Sequence, residues 1–116
     1  MSIKQNPAQE PLTPAPAPPW GEVKPEGKAA EVVRFVLADR TVSFPVKELK
    51  RWSLIGGDPE CLEIKAEKVT IVVEGKLLAA VRDALDEGRL AQVRVNGPRP
   101  SLRPGPVIRR IAIESP

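Results

Sequence analysis

The sequence contains no histidine and no tyrosine, a single cysteine, and only two tryptophans and two phenylalanines. Without histidine, the commonest general base and the commonest transition-metal ligand are gone, as is the Cys–His pairing that activates a nucleophilic thiol. The lone Cys61 cannot close an intramolecular disulfide, which argues against a stapled secreted scaffold and fits a reducing compartment. Beside Leu62 and Ile64 it reads as a small buried hydrophobe. No apolar run approaches the length of a membrane span, and the N-terminus lacks the basic-then-apolar order of a signal peptide. A soluble cytoplasmic protein is expected. Walker loop, Rossmann fingerprint, nucleophile elbow and paired-carboxylate motif are all missing, and Gly56-Gly-Asp58 lacks the spacing of a phosphate cradle. The expectation is therefore a protein that is not an enzyme, with no catalytic, cofactor-binding or metal-ligating residues.

What is present divides the chain into parts. Residues 1–28 hold seven of the 14 prolines, including the run Pro14-Ala-Pro-Ala-Pro-Pro19, and too little apolar surface to offset chain entropy. A disordered, Pro/Ala-rich tail is expected there. Its two PxxP stretches, Pro11–Pro14 and Pro16–Pro19, are what any proline-rich tract generates, and Trp20 is the one residue suited to fold back as an anchor. Residues 29–116 are expected to form one small domain. A core of that size is marginal on its own, so a homodimer is one way to complete it.

Within the domain, Val32–Leu37 and Thr41–Val46 alternate as strands around the turn Ala38-Asp39-Arg40. Val33, Phe35 and Leu37 share one face, as do Val42, Phe44 and Val46, while Pro45 marks an edge or a strand end. Val46, Leu49 and Trp52 then fall at i, i+3 and i+6, which reads as a short helical turn over 46–53 with Lys47, Lys50 and Arg51 facing solvent. Leu62–Lys65 and Val69–Val73 form a second hairpin around Ala66-Glu67-Lys68.

The principal helix is expected over Lys76–Glu87, with the apolar stripe Leu77, Leu78, Val81, Ala84 and Leu85, a solvated face of Asp83, Asp86 and Glu87, and Gly88 as its left-handed stop. Leu90–Val95 and Val107–Ile113 follow as a C-terminal strand pair. On the second of these, Val107, Ile111 and Ile113 are expected to face one way and Ile108, Arg110 and Ala112 the other. A basic Pro-rich loop spans 98–106. The fold class is thus α+β: two hairpins, one principal helix and a strand pair, in the order ββα-ββα-ββ.

Two fragments, Leu62-Glu-Ile-Lys-Ala-Glu-Lys-Val69 after an Ala/Pro-rich linker and Gly105-Pro-Val-Ile-Arg-Arg-Ile111, resemble lipoyl- and biotinyl-carrier domains. The resemblance implies that Lys68, in a hairpin turn, would carry the cofactor. It also implies an all-β fold and an Asp-Lys or Met-Lys-Met context, from which this chain departs with its Lys76–Glu87 helix and Glu67-Lys68.

Charge is unevenly spread. Residues 1–87 hold 12 basic and 14 acidic side chains, whereas residues 88–116 hold six arginines against Glu114 alone. Any electrostatic function is expected in that last quarter. The candidate contact surface is Arg94, Arg99, Arg103, Arg109 and Arg110, suited to the carboxylates of an acidic protein partner or to phosphates. A non-catalytic protein-interaction module is the leading expectation. Nucleic-acid binding is the alternative, and the absence of Phe, Trp and Tyr from residues 88–116 removes the stacking platforms it commonly uses.

Overall fold

Runs of β-branched and aromatic residues, punctuated by turn formers, make eight strands and one helix in the computed structural model, which describes residues 18–96 and 105–115. In chain order these are β1 (Gly21–Val23), β2 (Val32–Val36), β3 (Thr41–Pro45), β4 (Leu49–Ile55), β5 (Glu60–Ala66), β6 (Thr70–Lys76), α1 (Ala79–Asp86), β7 (Leu90–Arg94) and β8 (Val107–Glu114). They form two four-stranded sheets, ordered β1-β7-β2-β3 and β4-β5-β6-β8. Every pairing is antiparallel except β2 with β7.

The expected α+β class is what the chain adopts. Its ββα-ββα-ββ order survives as β2-β3, a single 3-10 turn at Val46–Glu48, β5-β6, α1, β7 and β8, to which β1 and β4 are added. The two C-terminal strands lie in different sheets. They meet where the Asn96 N–H donates to the Ile108 carbonyl at 3.0 Å and the Asn96 side-chain oxygen accepts from the Ile108 N–H.

Both expected hairpins form. Val33 faces Phe44 and Phe35 faces Val42 across β2–β3, and the Phe35 and Phe44 rings meet edge to face with centroids 5.9 Å apart. Pro45, which cannot donate to a ladder, ends the edge strand β3.

The helical turn expected over 46–53 is corrected to three residues, Val46–Glu48, after which β4 begins. The register of β4 on β5 shifts between Leu49 and Arg51, so Lys50 is an extra residue and alternation restarts beyond it. Leu49 and Trp52, three apart, therefore both turn inward, and the spacing imitates a helix. The same device corrects β8. Glu74 and Gly75 on β6 face Arg110 and Ile108, so Arg109 is the extra residue and Ile108 turns inward with Ile111. Ile108 is fully buried instead of sharing a face with Arg110.

Gly75 sits inside β6, opposite that bulge, where any side chain would collide with the Val107 carbonyl. The strand therefore runs through the glycine to Lys76, and α1 begins only at Ala79, later than expected. Leu77, placed in the helix stripe by its spacing, is 54% exposed and holds a positive φ of 58° at the strand-to-helix corner. Leu78, Val81, Ala84 and Leu85 are buried as expected. The backbone N–H of Leu78 donates to the Glu60 carboxylate at 2.9 Å, which satisfies one of the helix's free N-terminal groups. At the other end, Gly88 takes φ 70°. Arg89 N–H bonds the Ala84 carbonyl and Gly88 N–H the Leu85 carbonyl, a Schellman closure.

One core lies between the sheets and under α1, built on Phe35, Leu62, Ile64, Ile71, Leu78 and Val93. It reaches further toward the N-terminus than residue 29: Trp20 is buried at 6% exposure, and β1 pairs with β7. The remainder of the expected tail, residues 1–17, and residues 97–104 of the basic loop region lie outside the described residues.

Candidate functional site

The parallel pairing of β2 with β7 sets Val36 beside Arg94, so the two strands end together at one edge of the core. The chain leaves β2 through Leu37 and Ala38, and leaves β7 through Val95, which is 44% exposed. β8, from the other sheet, passes the same edge with Arg109, Arg110 and Ile111. These eight residues line an open cleft of about 530 Å³. Val36, Leu37, Val95 and Ile111 supply an apolar wall, and three arginines stand around it.

Arg94, Arg109 and Arg110 are thus brought together from two strands in two sheets. Arg99 and Arg103, the other members of the expected surface, lie outside the described residues. Three local features tune the site. With its amide oxygen turned toward Arg94, Gln92 accepts from that guanidinium at 2.7 and 3.1 Å, and the Arg94 backbone N–H bonds the Trp20 carbonyl at 2.7 Å. Arg110 reaches Glu74 at 3.4 Å, an exposed pair on β8 and β6 that contributes about 0–1 kcal/mol. Arg94 and Arg109 pair with no carboxylate among the described residues. The bulge at Arg109 explains why two consecutive arginines both stay exposed on a strand whose alternation would otherwise turn one inward.

The apolar half of the cleft was not visible in the sequence as a surface. Leu37 and Ile111 read as core, and Leu37 comes beside the arginines only through the parallel β2–β7 pairing, a contact between residues far apart in the chain.

Elsewhere, Lys68 is exposed in the turn joining β5 and β6, beside a hollow of about 350 Å³ formed by Phe44, Glu48, Ala66, Glu67, Lys68 and Val69. Cys61 is half-buried and stays out of the core cluster, contrary to expectation, because alternation on β5 puts Leu62 and Ile64 inside and Cys61 outside. Its thiol is pushed up from its ordinary value by desolvation first, then by Glu74, Glu63 and Glu114. It is a poor thiolate at neutral pH. Among the described residues no cluster of three or more His, Cys, Asp or Glu side chains is placed to hold a metal ion, and no helix is long and apolar enough to cross a membrane.

Comparison with known proteins finds no matching family model, no matching curated protein and no matching solved structure.

Proposed function

We propose that this protein is a non-catalytic interaction module that takes up an acidic protein partner at the arginine-rimmed cleft, working in the cytoplasm. The observation that carries this reading is the convergence of Arg94, Arg109 and Arg110 on one cleft with an apolar wall. Guanidinium groups form paired, charge-assisted hydrogen bonds with carboxylates, while the wall contributes burial of apolar side chains. An anionic surface alone would have no use for the wall. The nucleic-acid alternative draws on the same arginines, but no aromatic ring lines the described cleft for bases to stack on.

The test compares poly-glutamate with a mixed-sequence single-stranded DNA, titrated against the wild type and the Arg94→Glu/Arg109→Glu variant at low and raised salt. Poly-glutamate binding that weakens with salt and disappears in the variant supports the reading. DNA binding that exceeds poly-glutamate binding and disappears in the variant transfers the cleft to nucleic acid. Equal behaviour of wild type and variant toward both probes overturns the role of the cleft.

A further inference from the structure

β8 carries Arg109 and Arg110 and lines the cleft, and among the described residues no strand pairs with its other edge. The strand is the last in its sheet, paired with β6 on one edge only, and at eight residues it is the longest strand of the fold. On its outer edge Ile108 is occupied by Asn96. From Arg109 to Glu114 no backbone hydrogen bond arrives from outside the sheet among the described residues. In an antiparallel ladder each neighbour uses the N–H and C=O of every second residue, so alternate residues of this stretch present both groups outward.

We infer that β8 is a docking strand: an extended acidic segment of the partner adds to its open edge as a fifth strand of the second sheet. Its carboxylates meet the arginines, and its alternate apolar side chains enter the cleft. This rests on the reading of the cleft as a site for an acidic protein. Main-chain pairing supplies affinity in such strand addition, and the pockets beside the edge select the side chains. Here the selecting elements are already beside the strand: Arg109 and Arg110 on β8 itself, Arg94 across the cleft, and the apolar Val36, Leu37 and Ile111 between them.

Charge decides among the occupants. A second copy pairing through β8 would offer this edge only Glu114 as a carboxylate against Arg109 and Arg110 in each chain, so the seam carries excess positive charge, which is unfavourable between paired strands. Residues 1–17 of the same chain offer only Lys4 and Glu10 as charged groups, and their prolines lack the N–H a ladder needs. An acidic strand from another protein suffers neither penalty. The same two arginines that discourage edge-to-edge association of identical chains favour it.

The probe is a fluorescein-labelled hexapeptide alternating glutamate and valine, titrated against the full chain by polarisation. Two further versions carry N-methyl groups on all glutamate amides or on all valine amides, and amide exchange of β8 is followed with each. We expect the parent to bind, Arg109→Glu to abolish that binding, and one methylated version to lose about tenfold or more while the other stays near the parent, because the ladder uses one alternate set. Exchange of outward amides between Arg109 and Glu114 should slow on binding. If both methylated versions bind like the parent while Arg109→Glu still fails, strand addition is overturned and acidic recognition at the cleft survives. Loss of both versions supports strand addition only if β8 amides are protected by the parent, and overturns it if they are not. A parent peptide that does not bind overturns strand addition. If poly-glutamate also fails to bind, the reading beneath it falls too.

Discussion

The indole N–H of Trp52 on β4 donates to the carboxylate of Asp86 on α1 at 2.7 Å, tying the edge strand of one sheet to the helix that covers the core. Asp86 lies in the last turn of α1, where the helix dipole disfavours a negative charge. The indole gives that charge a donor. Removing Asp86 should therefore be nearly neutral by itself, because loss of the hydrogen bond and relief of the dipole act in opposite directions. A double-mutant cycle isolates the bond. Trp52→Phe and Asp86→Ala should couple by about 1 kcal/mol, below the usual range for a charged acceptor because the pair is exposed. Coupling indistinguishable from zero in denaturant melts would show the contact to be incidental.

Gly75 is expected to be irreplaceable. An added Cβ would overlap the Val107 carbonyl oxygen, a backbone atom that cannot swing aside. Gly75→Ala must push β8 off β6 at the bulge and should cost more than about 3 kcal/mol, beyond ordinary overpacking. Gly56, where an added methyl group would meet nothing within 4 Å, is the control, and Gly56→Ala should stay within about 0.5 kcal/mol. Equal melting temperatures for the two variants would refute the close approach.

The places where the sequence was legible and where it was not share one physical cause. Period-two alternation on β2 and β3 was readable because their pairing runs without interruption, and the α1 stripe from Leu78 to Leu85 was readable because nothing breaks its period. Leu49 with Trp52, and Ile108 with Ile111, defeat the same reasoning, since each pair brackets an extra residue in the ladder. Bulges set by the partner strand leave no mark in the strand's own composition. Three arginines of the cleft could be nominated from their clustering in the chain. The apolar wall could not, because Val36 and Leu37 reach it only through the parallel contact of β2 with β7.

The helix offers a contrast between two leucines of the expected stripe. Leu85 is 6% exposed, and Leu85→Ala should cost on the order of 2–5 kcal/mol. Leu77 is 54% exposed at a positive φ, so truncation there removes little buried area. Leu77→Gly should be neutral or stabilising: release of about 1–2 kcal/mol of left-handed strain opposes about 0.5–1 kcal/mol of added chain entropy. Parallel urea melts check both. A Leu77→Gly loss comparable to that of Leu85→Ala would mean that Leu77 packs against something after all.

Cys61 makes a pH prediction with a defined sign. Desolvation and the neighbouring Glu74, Glu63 and Glu114 raise its thiol pKa in the folded chain, so the fold holds the proton to higher pH than the unfolded chain does. Stability from this source is complete below the ordinary thiol value of the unfolded chain and declines as pH rises from there through the folded value, because only the unfolded chain gains by ionising in that window. Alkylation by iodoacetamide reads the same shift directly, and with a single cysteine the signal belongs to Cys61 alone. The rate profile of the native protein should have its midpoint above that of the urea-unfolded protein, and the Glu74→Gln variant should move it part of the way back. A native midpoint at or below the unfolded one would show the thiol facing solvent, clear of the β6 carboxylate opposite it.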